Sequence, residues 1–217
     1  MYNPPTLLGL PLELRMEIYT YLLTFQEPAK PSSPDSGSRT PERRPAPLHP
    51  QILRVCAQTY AEAHALLYRL NTFQAHPSLL ASFPRLRAWH DPVAAAAMVP
   101  LIRRFRVRVR LDIDAPFTRE EATRAFSGME LVEIEVWQAV YRGAGREVLS
   151  RFEDVRGVRT AKVTGSLSGF EEYAGWLEQE MMKGTGEDKG ERYHGVDEHA
   201  HVATALDVVS WGIDQEV

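Results

Sequence analysis

The chain has 217 residues, 44% apolar and 25% charged, with a net charge of −4, an ordinary globular composition with length for one large domain or two small ones. Cys56 is the single cysteine, which excludes an intrachain disulfide and a cysteine-based metal site and fits a reducing compartment, cytoplasmic or nuclear. The acidic balance offers no general attraction for nucleic acid. The N-terminus lacks a basic start, and the longest apolar stretch, Val93 to Ile102, is broken by Pro100, so neither a signal peptide nor a membrane span is expected.

In chain order, the first signal is Leu10, Leu14, Ile18, Tyr21 and Leu22, which recur at three- and four-residue steps with Glu13, Arg15 and Glu17 between them. That spacing predicts an amphipathic helix over 10–23. Pro11 falls in its first turn, where a missing N–H has no partner to lose. Residues 25–50 then hold seven of the fifteen prolines, together with Ser32, Ser33, Ser36, Gly37 and Ser38. Such a stretch buries too little surface to offset its ordering entropy, and 25–48 reads as a disordered Pro/Ser-rich insertion.

From Pro50, the residues Ile52, Leu53, Cys56, Tyr60, Ala63, Leu67 and Leu70 trace one helical face. They predict a second helix to Leu70, packed on the first, with Cys56 a buried, unreactive thiol. Ser78 and Asp91 read as two further helix N-caps, the latter followed by Pro92 at the first helical position.

The segment from Arg104 to Leu111 alternates apolar and charged residues, the period of a strand with one face buried. Val132–Val136 alternates in the same way, and Ala161–Val163 does so more faintly. Helical patterns are expected between and after these strands: one opened by a capping box of Thr118 with Glu121, one over Arg146–Phe152, and one opened by Ser168 with Glu171. A shift of 27 residues places Val107 on Ile134 on Ala161, Val109 on Val136 on Val163, Ala122 on Leu149 and Ala125 on Phe152. The fold class expected is α+β to α/β, with N-terminal helices followed by about three strand-helix units on a small parallel sheet over 76–183. Residues 184–217 read as a mobile tail with a short apolar element at Ala205 to Trp211.

In the same alignment Arg106 faces Glu133 and Thr160, and Arg108 faces Glu135 and Lys162. These pairs form a register-fixing ladder on the face away from the helices. Arg110 and Trp137 lack an opposite charge at that step and are side chains that anchor interfaces. The candidate partner-binding patch is therefore Arg106, Arg108, Arg110, Glu133, Glu135 and Trp137. Glu133 and Glu135 also cancel most of the field of the five arginines between Arg103 and Arg110, which argues against nucleic acid.

No nucleophile with a base, paired carboxylates, phosphate-gripping loop or metal cluster stands at a recognisable spacing, so no catalytic residue, cofactor or metal is expected. Gly143-Ala-Gly145 lacks the remaining glycine and the acidic partner of a dinucleotide site, and His194, Asp197, His199 and His201 lie in the glycine-rich tail without rigid support.

Residues 7–23, with Leu10-Pro11, Glu13-Leu14 and Ile18 before Leu22-Leu23, resemble the opening of the F-box. Leu53-Arg-Val-Cys-Ala-Gln-Thr-Tyr60, Glu62-Ala63 and Leu67-Tyr68 through Asn71 and Phe73 resemble its continuation in the large F-box-like families of filamentous fungi. The match covers roughly the first third of the chain, 1–24 and 49–75. It implies a Skp-type adaptor of a cullin-RING ubiquitin ligase as partner, contacted by Leu10, Pro11, Leu14, Ile18 and Leu22 on the first helix and by Leu53, Val55 and Cys56 on the second. It also implies an unknown protein substrate held by a C-terminal part that looks leucine-rich-repeat-like. The residues leave one alternative open: a stand-alone structural or protein-binding domain that uses the same stripe for its own core, with neither ligase nor catalysis.

Overall fold

A computed structural model describes residues 6–25, 48–139, 146–167, 169–186 and 193. Most of the Pro/Ser-rich stretch, Gly143, Gly145, Ser168, and the tail histidines His194, His199 and His201 with Asp197 and the 205–211 element lie outside the described residues. The chain divides into two compact units, Met1–Asn71 with Ala95–Arg103, and Thr72–Ala94 with Arg104–Val217.

The first unit is built on α1 (Leu12–Leu23) and α2 (Ala57–Leu70), with 3-10 turns at Leu7–Gly9, Pro50–Arg54 and Val99–Leu101. Helix α1 begins just after Pro11, which serves as its N-cap, with Glu13 in the first turn, where a carboxylate favours the helix dipole. Its buried residues are Tyr19 and Leu23, which join Ala63 of α2, and Leu7, Met16, Ile52, Leu53 and Leu66 pack around them. At 3.6 residues per turn, Met16, Tyr19 and Leu23 share the side of α1 opposite to Leu14, Ile18 and Tyr21. The helix therefore carries apolar side chains on both sides, and the periodicity traced in the sequence belongs to the outward one.

The second helix is not continuous from Pro50. Cys56 adopts an extended backbone and caps α2, its sulfur accepting the Thr59 N–H at 3.4 Å. A thiol here plays the part usually taken by Ser or Asp, so the break carries no familiar capping signature. Cys56 is only half-buried, and its hydrogen bonds with the Thr59 hydroxyl and N–H hold the thiol below the usual cysteine range. The expectation of a buried, inert thiol is therefore corrected.

Two polar clasps join the helix pair. Arg15 donates from Nε and Nη2 to the two carboxylate oxygens of Glu62 at 3.0 and 2.7 Å, and Glu62 also accepts from the Tyr19 hydroxyl at 3.1 Å and from Gln58 at 2.9 Å. Asn71 is buried, donating from Nδ2 to the carbonyls of Leu23 and Leu67 at 2.7 and 2.8 Å and accepting the Phe25 N–H at 2.7 Å. Carbonyls near the C-terminal ends of both helices, which helix geometry leaves without partners, are thus satisfied by one side chain.

The second unit is a five-stranded sheet of β1 (Phe73–His76), β2 (Leu80–Arg85), β3 (Arg104–Arg110), β4 (Leu131–Trp137) and β5 (Thr160–Gly165). The order is β2-β1-β3-β4-β5, antiparallel between β1 and β2 and parallel from β1 through β5. With helices preceding strand-helix units on a mostly parallel sheet, the chain has the expected α+β to α/β class. The hairpin β1–β2 replaces the helix expected from Ser78. The N–H groups of Ser78 and Leu79 donate to His76 Nδ1 at 3.2 and 3.1 Å, and Leu80 turns the chain with φ 48 while its side chain is buried. Asp91 likewise opens irregular chain and not a helix, with Val93 N–H fastened to the Pro84 carbonyl at 2.8 Å.

One sheet face is apolar, with Phe105, Val107, Val109, Val132, Ile134, Val136, Ala161 and Val163 all buried. Its covering comprises α3 (Arg119–Phe126), a 3-10 turn at Leu149–Phe152 and α4 (Glu171–Met182). Phe105 meets Phe126 at 5.7 Å, Phe126 meets Phe152 at 6.1 Å, and Phe152 meets Phe117 at 5.5 Å, spacings at which aromatic pairs attract. The Thr118–Glu121 capping box forms in full. The helix expected over Arg146–Phe152 shortens to the 3-10 turn, and α4 is capped at Phe170 without a side-chain bond. Gly165 is required at the end of β5: its φ is +110, and a Cβ there would lie 2.0 Å from the Val136 carbonyl oxygen.

Strands β3 and β4 pair at the 27-residue offset, with Val107 beside Ile134 and Val109 beside Val136. Strands β4 and β5 pair two residues further on, Val132 with Ala161 and Ile134 with Val163. An even slip keeps every side chain on its face, so the repeat survives while the cross-strand partners change. No helix among the described residues is long and apolar enough to cross a membrane.

Candidate protein-interaction surfaces

The first surface is the outward side of α1. Leu14 is 47% exposed, Ile18 36% and Tyr21 69%, while Val55, between the 3-10 turn and α2, is 66% exposed. Pro11 is exposed, and Leu10, Leu22 and Cys56 are half-buried. Leu53 is half-buried and packs against the Tyr19–Leu23–Ala63 core. Tyr60, expected in the core, is instead exposed and stacked on His64 at 4.8 Å. Large apolar side chains held outward on a rigid helix mark interaction sites more often than isolated ones do. Tyr21, absent from the F-box-derived residue set, is the most exposed of the three on α1.

The second surface is the sheet face turned away from α3 and α4, with one row crossing all five strands. Arg85 pairs with Gln74, Gln74 with Arg106, Arg106 with Glu133, and Glu133 with Lys162. Glu133 thus faces Lys162 and not Thr160, and Glu135 faces Thr164 and not Lys162, both consequences of the two-residue slip. Arg106 binds Glu133 at 2.9 Å; Arg108 and Glu135, more exposed, stand at 3.5 Å, a separation that contributes little in water.

Arg110 does not lack an opposite charge. It donates from Nε and Nη2 to both carboxylate oxygens of Asp112 at 2.7 Å each, and its guanidinium lies over Trp137 at 5.2 Å. Arg110 holds the nearly buried Asp112 carboxyl well below the usual carboxylate range. Asp112, two residues beyond the end of the strand, supplies this partner, a local turn contact that cross-strand alignment does not reach. Trp137 stays 38% exposed, braced by the arginine. Across this face, Arg85, Arg104, Arg106, Arg108, Arg110 and Lys162 stand against Glu133, Glu135 and Asp112.

A cleft of about 590 Å³ in the second unit is lined by Glu120, Thr123, Arg124, Ser127, Asp154, Arg156 and Thr185. Its Ser127 hydroxyl accepts the Arg156 backbone N–H at 3.3 Å, and Arg156 is committed to the buried Glu180 at 2.9 Å. Its two carboxylates are Glu120 and Asp154. Among the described residues no group of three or more His, Cys, Asp or Glu could hold a metal ion. No family model, no curated protein and no solved structure matches the chain.

Proposed function

We propose that the chain is a protein-interaction adaptor, an F-box-like substrate-receptor subunit of a cullin-RING ubiquitin ligase acting in cytoplasm or nucleus, without catalysis of its own. In this reading the outward side of α1, with Val55, docks to a Skp-type adaptor and the outward sheet face receives a protein substrate. The observation that supports it is the two-sided α1: Met16, Tyr19 and Leu23 complete the unit's core, so Leu14, Ile18 and Tyr21 are left for another molecule. Co-purification of the full chain with a Skp-type adaptor tests the reading, with Leu14→Asp plus Ile18→Asp as the discriminating variant. The variant is expected to keep its helical circular dichroism and lose the adaptor. A folded variant with undiminished binding overturns the proposal.

A second reading, a stand-alone protein-binding domain, is favoured by Leu53, which the unit uses in its own packing. It predicts that no adaptor co-purifies with the parent chain and that Leu53→Asp unfolds the helix pair.

A further inference from the structure

We propose that the cleft in the second unit binds a short extended peptide segment that carries a basic and an acidic side chain about three residues apart. The inference requires neither the adaptor on α1 nor a partner on the outward sheet face. It starts from the way charge is divided along the cleft. Glu120, Arg124 and Ser127 line it at steps of four and three residues, so they follow one side of α3, and the rise of a helix puts Glu120 about 10 Å from Ser127. Asp154 and Arg156, also in the lining, are ordered the same way. Asp154 stands 3.7 Å from Arg119, the neighbour of Glu120, while the Arg156 N–H donates to the Ser127 hydroxyl at 3.3 Å.

Among the described residues, one end is acidic and the other basic. Glu120, Glu153 and Asp154 stand against Arg119 and Arg151 at the first. At the second, Glu180 is a single carboxylate shared by Arg156 at 2.9 Å and by Lys183, and Arg124, exposed in the last turn of α3, adds a further cation with no described ion-pair partner. Donors remain open at this basic end. Arg156 gives both Nη1 hydrogens to the carbonyls of Glu153 and Val155 and one Nη2 hydrogen to Glu180, which leaves Nε and the other Nη2 hydrogen for a ligand. A carboxylate takes such donors in charge-assisted bonds, roughly twice as strong as neutral ones. Extended chain advances ~3.3 Å per residue, so a lysine and a glutamate three residues apart reach both ends, and the opposed charges fix the direction in which the segment lies. The volume of about 590 Å³ falls within the ~300–1,000 Å³ that ligand clefts occupy.

Amide chemical shifts of the full chain, followed while acetyl-Lys-Ala-Ala-Glu-amide is titrated in, test this. Expected are shifts at Ser127, Gly128 and Arg156 with a dissociation constant on the order of a millimolar. The neutral peptide acetyl-Gln-Ala-Ala-Gln-amide is expected to bind at least about threefold more weakly, since each exposed charge pair lost is worth a factor of up to about five. Arg124→Glu, a change at an exposed helix position, is expected to reverse the preference, taking acetyl-Lys-Ala-Ala-Lys-amide more tightly than acetyl-Lys-Ala-Ala-Glu-amide. Glu120→Gln should weaken the lysine-bearing peptides and leave acetyl-Gln-Ala-Ala-Glu-amide as it is with the parent. A gain of binding in the reversed pair cannot come from a damaged fold. Equal binding of the charged and neutral peptides, an unchanged preference in Arg124→Glu, or cleft resonances that stay in place at about tenfold the expected constant overturns the proposal.

Discussion

Replacing Asn71 by alanine removes one small side chain and takes a hydrogen-bond partner from each of three main-chain groups. The Leu23 and Leu67 carbonyls lose their donor at 2.7 and 2.8 Å, and the Phe25 N–H loses its acceptor at 2.7 Å. Each hydrogen bond contributes a net ~0.5–1.5 kcal/mol, and a buried polar group left unsatisfied costs about 1–3 kcal/mol. Asn71 is 2% exposed, so water replaces few of these contacts. The expected loss is about 2–4 kcal/mol, a large part of the stability of a small domain. Asn71→Asp is expected to be no better, because it keeps the acceptor for Phe25 but turns an oxygen toward the two carbonyls. Urea unfolding followed at 222 nm measures the change, since the residue joins the ends of α1 and α2. A shift under about 0.5 kcal/mol, the range of ordinary surface substitutions, would refute the clasp.

Three further outcomes follow from single contacts. Hydrogen bonding from Arg15 first, and then from Gln58, lowers the Glu62 carboxyl from its ordinary 4.5 to about 2. The stability it supplies is therefore fully present above about 4.5 and fades as pH falls through about 2; the difference in unfolding midpoint between the parent and Glu62→Gln should shrink across that window, and a constant difference contradicts it. Gly165→Ala should destabilise by at least about 1–3 kcal/mol, the usual cost of a strained backbone, because its Cβ meets the Val136 carbonyl; thermal unfolding of the variant reads this out. Glu178 accepts the Val163 N–H of edge strand β5 at 2.6 Å, so Glu178→Ala should bare that edge and promote concentration-dependent association, visible in sedimentation, while Glu178→Gln should remain as the parent.

Much of the sheet was legible because its residues obey period two: Arg104–Arg110 and Leu131–Trp137 are strands wherever they pair, and the 27-residue offset survives between them. The capping box at Thr118 was legible for the same local reason, two side chains satisfying two N–H groups. What escaped was decided by contacts that no period encodes. Phe73–His76 has only four residues and is a strand because Phe73 pairs with Phe105; its hairpin closes on a histidine nitrogen. Helix α1 satisfies two apolar periodicities at once, and the sequence alone does not say which of them the core takes. The outward stripe of α1 was legible from its three- and four-residue spacing, whereas Arg110 was misjudged because its partner sits two residues along the same chain.

The covering layer of the sheet has a further meaning. Glu153 accepts the Tyr173 hydroxyl of α4 at 2.7 Å and binds Arg119 of α3 at 3.1 Å, so the two helices are tied to each other through one side chain as well as to the strands. Alternation assigns the odd-numbered members of β3 and the even-numbered members of β4 to that layer, while their neighbours carry the ion pairs of the opposite face, Arg106 with Glu133 and Arg108 with Glu135. Burial and register are thus divided between alternate residues of the same two strands, so a substitution on one face leaves the contacts of the other in place.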